Sequence, residues 1–129
     1  ITGCVGGGGS TAPSVPEGAT VPPYEVAGTN DLSNAAATKI ERNVVVKSVD
    51  DLSDDELRLI ATENVADITD SQRVNAVTVF FYEEGDDIQG AASARVEWAP
   101  DGDYSRAEEV STGDYSEHEF SVERLSGQF

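Results

Sequence analysis

The chain has 129 residues and a mass of 13.6 kDa, enough for one domain. That length excludes a two-lobed solute-binding protein, a dinucleotide-binding enzyme with a separate substrate domain, and a (β/α) barrel. With 25 Asp and Glu against 8 Lys and Arg the net charge is −17, which excludes binding to nucleic-acid phosphates.

The first twenty-odd residues form no periodic apolar pattern. Cys4, the only cysteine, follows Ile-Thr-Gly and precedes a Gly run, Gly6 to Gly9, and then Pro13, Pro16, Pro22 and Pro23. Gly/Ser followed by spaced prolines reads as a tether, first coil-like and then stiffer and extended. We therefore divide the chain into a tether at 1–22 and a small domain at 23–129. No apolar run approaches the roughly 18 residues that span a bilayer, so attachment to a membrane would have to be through lipid.

Thr2-Gly3-Cys4 resembles the lipobox of bacterial and archaeal lipoproteins, in which small residues precede the cysteine that carries the lipid. The resemblance covers about four residues and gains from the tether behind it; it implies lipid attachment at Cys4, with Ile1 to Gly3 belonging to the precursor. The alternative is an incidental free thiol.

Residues 24–27 alternate and read as a short strand, and the β-branched run at 37–49 reads as a second, with Asn30-Asp31 and Ser33-Asn34 supplying the turn. Ser53-Asp54-Asp55-Glu56 is a capping box, with Leu52 and Leu57 placed as a hydrophobic staple, so a helix starts there. Its acidic first turn complements the helix dipole. Leu57, Ile60, Ala61 and Val65 make one apolar stripe, the opposite face carries Arg58, Thr62 and Glu63, and the helix is expected to fade between 66 and 69. The run at 74–82 is the most apolar in the chain and predicts a central strand. An acidic loop at 83–90 leads to residues 91–98, where Ala92, Ala94, Val96 and Trp98 alternate inward, so the two strands form a hairpin. A turn follows at 99–102. From 104 to 125 the periodicity is weaker, with Phe120, Val122 and Arg124 suggesting one more short strand or a docked arm. The order β-β-α-β-β predicts an α+β domain, an antiparallel sheet of four to five strands with one helix on one face. That pattern resembles small α+β domains of uncharacterised prokaryotic surface proteins.

The acids are scattered over every surface segment, while the cations are six Arg and only two Lys, Lys39 and Lys47. Such a surface repels itself in dilute buffer and is screened at molar salt, where the Debye length is about 3 Å. The composition resembles that of proteins from extremely halophilic archaea; the alternative is an ordinary acidic protein.

Few residues invite chemistry. His118, the only histidine, lies among acids and reads as a surface residue, and no spacing selects a Ser/His/Asp set. Asp101, Asp103 and Glu108, with Glu109, look like a loose oxygen-ligand loop for Ca²⁺ but lack the EF-hand spacing, and they read as solvated surface. One Cys and one His exclude zinc, haem and iron–sulfur centres, and no cofactor is expected. Phe80, Phe81, Tyr82 and Trp98 read as core; the alternative is that Phe80 and Tyr82, on the sheet face without the helix, pack on another protein.

The expectation is a non-enzymatic, lipid-anchored extracellular domain at the surface of a halophilic archaeon. Its partners would be the membrane, through the anchor, and other surface proteins or copies of itself. A rival expectation is a structural subunit that self-assembles into a filament or surface layer through strand edges or the N-terminal arm.

Overall fold

A computed structural model describes residues 12–85 and 92–125. The elements run β1 (Glu25–Asp31), β2 (Lys39–Val46), a 3-10 turn (Val49–Asp51), α1 (Asp54–Ser71), β3 (Ala76–Glu83), β4 (Ala94–Pro100), a 3-10 helix (Tyr104–Glu109) and β5 (His118–Arg124). The fold class is α+β, and the strands form one sheet in the order β1-β2-β3-β4-β5.

Two features differ from expectation. The element order is β-β-α-β-β-β rather than β-β-α-β-β, because the weakly periodic C-terminal stretch forms a fifth strand, one of the two outcomes expected for it. The sheet is also mixed, because β2 and β3 run parallel, Lys39 beside Ala76 through Val46 beside Glu83, while the other three pairings are antiparallel. Parallel neighbours need a long crossover. The 18 residues of α1 supply about 27 Å of return path, close to the roughly 26 Å of an eight-residue strand. The chain therefore re-enters the sheet at the end where β2 began.

The helix begins as predicted. Ser53 accepts from the Glu56 N–H (3.1 Å) and the Glu56 carboxylate accepts from the Ser53 N–H (2.9 Å). It continues to Ser71, beyond the expected fade, and Ile68 joins Leu57, Ile60, Ala61 and Val65 on the buried stripe. These residues pack on Ile40, Val44, Val46, Val77, Val79, Phe81, Ala94, Val96 and Trp98. Burial of the Phe81 side chain, fully enclosed, contributes about 2–3 kcal/mol. Arg124 fastens β5 to the helix start, donating to the carbonyls of Val49 (3.1 Å) and Leu52 (2.6 Å) and to Asp54 (3.0 Å).

The helix lies mainly over β3, β4 and β5. Its outer side is not bare: Thr62 is buried and, with Leu59 and Phe120, lines a groove of about 390 Å³ shared with Pro13 and Pro16. Ala12, Val21 and Tyr24 pack against the core, and the Tyr24 hydroxyl donates to Glu63. The described part of the expected tether thus rests on the domain. Prolines restrict the free chain, so docking such a segment sacrifices less conformational entropy.

Candidate binding surface

Alternation along the strands sends one set of side chains to the helix and the other to the opposite face. The register assembles two rows across that second face. One runs Gly28, Asn43, Phe80, Arg95, Glu123 and the next runs Asn30, Glu41, Thr78, Glu97, Ser121. The 3-10 helix closes one end, where Ala107 joins Ala37, Ala76 and Ala99 with Tyr104 against them.

Phe80 is half-buried at the centre of its row, whereas Tyr82, on the same face, is 6 % exposed. Of the two aromatics expected here, Phe80 is the one that stays partly accessible. Arg95 lies beside it, ion-paired with Glu97 (3.2 Å) and Glu123. Asn43 is buried and its Oδ1 meets no partner among the described residues. The Tyr104 backbone N–H donates to Glu97, and Lys39 lies 5.8 Å from the Tyr104 ring centroid. Burial foremost, with Glu41 and Glu97 nearby, pushes the Tyr104 hydroxyl up to about 12. Lys47 lines a recess of about 360 Å³ with Pro23, Tyr24, Glu25, Val45, Val46 and Glu84. The face therefore combines two half-buried aromatics, Phe80 and Tyr104, with Arg95 and Lys39 beside them.

The acids considered for Ca²⁺ have partners within the protein, two of them in their own loop. Asp101, at φ 55°, pairs with Arg106. Asp103 caps the 3-10 helix, accepting from the Ser105 N–H (3.0 Å) and hydroxyl (2.6 Å), and these bonds hold its carboxyl below the usual range. Glu108 accepts from Asn34 (3.4 Å). No three Asp, Glu, His or Cys side chains converge on a metal position among the described residues. Cys4 and part of the acidic loop, Asp86 and Asp87, lie outside the described residues.

His118 departs from its reading as a surface residue. Its ring packs on Trp98 (centroids 4.5 Å) and Tyr115 (5.2 Å), and Nε2 lies 2.7 Å from the Asn75 carbonyl, which makes Nε2 the protonated nitrogen of the neutral ring. Nδ1 is buried and meets no partner among the described residues. Burial lowers the His118 pKa, opposed by the Asn75 bond and by Asp114.

The organising polar residue of this end is Asn75, fully buried. Its Oδ1 accepts from the Thr38 N–H (2.8 Å) and the Thr112 hydroxyl (2.7 Å). Its Nδ2 donates to the carbonyls of Ala107 (3.1 Å) and Val110 (2.9 Å). One amide thus joins the start of β2, the 3-10 helix and the following loop. The only sign of it in the sequence is a polar residue inside the apolar run at 74–82.

Comparison with protein-family models, with curated proteins and with solved structures gives no match.

Proposed function

We propose that this chain is a non-enzymatic, lipid-anchored domain of the cell surface of a halophilic archaeon, and that it binds another surface protein through the sheet face carrying Phe80. The observation that carries the reading is the division of the two faces. Helix and N-terminal segment pack on one, and the other holds a half-buried aromatic beside Arg95. Aromatic and Arg side chains are the residues that most often anchor protein interfaces. Ala12 packs on the helix side, and the eight residues from Cys4 to Ala12 can reach at most about 28 Å. An anchor at Cys4 would therefore join the domain from the helix side, clear of the Phe80 face.

The test has two parts. Mass spectrometry of the N-terminal peptide from the membrane fraction should show a lipid on Cys4, and Cys4→Ser should release the protein to the medium. A photo-crosslinking residue replacing Phe80 should capture one defined surface protein in living cells, while the same residue replacing Arg58, on the helix, should not. An unmodified cysteine on a cytoplasmic protein defeats the anchoring; equal capture from both positions defeats the binding face.

A further inference from the structure

Among the described residues β1 is an edge strand, bonded on one side to β2. All of its residues are exposed except Gly28, which is half-buried. The two large apolar side chains left exposed among the described residues are Val26 (50 %) and Leu32 (46 %), one inside this strand and one immediately after it. Between Glu25 and Asp31 it carries the uncharged run Val26-Ala27-Gly28-Thr29-Asn30, in a chain where 26 % of residues are charged. Edges are ordinarily protected by charge or proline along the strand. The opposite edge, β5, has Glu119, Glu123 and Arg124.

The hydrogen bonding fixes which groups of β1 are available. The Leu32 N–H donates to the Lys39 carbonyl (2.8 Å), and Asn30 and Gly28 stand opposite Glu41 and Asn43. In an antiparallel ladder this alternation turns Gly28, Asn30 and Leu32 toward β2, and the N–H and C=O of Thr29 and Asp31 outward. The irregularity between Val26 and Gly28 confines the regular edge to 28–32.

We propose that this edge pairs with the same edge of a second copy of the chain, antiparallel about a dyad at Asn30, joining two sheets into one. Thr29 of each copy then exchanges both backbone bonds with Asp31 of the other. Leu32 lies across from Gly28 of the other copy, where the space a Cβ would occupy has no atom within 4 Å. This register puts no carboxylate directly opposite another, which suits a partner as acidic as the chain itself. The contact is isologous and closes at two copies, unlike the open series that a filament through unlike edges requires. It is independent of what the Phe80 face binds.

The test uses the full chain in 0.2 M and 3 M KCl, with mass measured by light scattering and sedimentation between about 10 and 500 μM. A dimer is expected, at least tenfold tighter at 3 M because the repulsion between two chains of −17 is then screened. Thr29→Pro removes an outward N–H and leaves the backbone ladder to β2 in place, giving up only the Thr29 hydroxyl that accepts from Arg42 (3.0 Å), and Leu32→Lys removes the apolar contact. Each should weaken the dimer at least tenfold while Trp98 fluorescence and circular dichroism stay unchanged. Across the dyad the two Asn30 Cα atoms would lie about 4.5 Å apart, within disulfide range. Asn30→Cys in a Cys4→Ser background should therefore oxidise to a covalent dimer, and Glu119→Cys on β5 should not. Monomers at every salt and concentration overturn the proposal. So do open-ended polymers, or a dimer indifferent to both folded variants.

Discussion

Replacement of Asn75 by Ala tests whether one buried amide holds three segments together. The truncation orphans the Thr38 N–H, the carbonyls of Ala107 and Val110, and the Thr112 hydroxyl. Thr112 is exposed and can turn to water. Each buried group left without a partner costs about 1–3 kcal/mol, and a water entering the vacated space can satisfy one of the carbonyls. The expected loss is about 3–4 kcal/mol, a large part of the roughly 5–15 kcal/mol available to a domain of this size. Urea unfolding in 3 M KCl, followed by the fluorescence of the single Trp98, measures it. Asn75→Asp gives the same shape but places a carboxylate against two carbonyls. That geometry raises the carboxyl pKa in the folded state, so the variant is least stable above that value and gains on Asn75→Ala as pH falls through it toward the unfolded value of about 3.9. A loss below about 1 kcal/mol for Asn75→Ala, or no pH-dependent difference between the two variants, refutes the reasoning.

Ser53→Ala removes one half of the capping box and should lower stability by about 1 kcal/mol, read as a shift in the urea midpoint with an unchanged slope; no shift would mean that the cap is replaced by water without loss. His118 gives a pH signature. Its folded pKa lies below the ordinary value near 6.5, so the unfolded chain binds the proton more readily. Stability from this group is full above about pH 6.5 and is lost as pH falls toward the folded value. Midpoints at pH 7.5, 6.5 and 5.5 in constant salt should fall more steeply for the native chain than for His118→Gln, which can still donate to the Asn75 carbonyl; parallel profiles refute it.

What could be read before folding was what nearest neighbours decide. The capping box at Ser53 is a local hydrogen-bond geometry over four residues, and it formed where the spacing placed it. The inward alternation of Ala94, Val96 and Trp98 is a property of one strand, and all three are buried, as is Ala92 just before it. Strand bounds moved by a few residues because they depend on where a neighbour stops pairing: β1 runs on to Asp31 since β2 continues beside it. The placement of Phe80 and Tyr82 away from the helix was legible from the same period of two, but their different burial was not, because it depends on what lies beside each ring.

The composition, the acidic scatter with few lysines, the helix start and the α+β class follow from the sequence alone, since each is local or additive. The parallel pairing of β2 and β3, the joint made by Asn75, the packing of His118 on Trp98, the docking of residues 12–24 and the position of β1 at the end of the strand order were decided only by tertiary structure. Each depends on which distant segments meet. A period-two pattern says that a strand has two faces; it carries no information on which strand lies beside it, in which direction, or whether anything lies beside it at all.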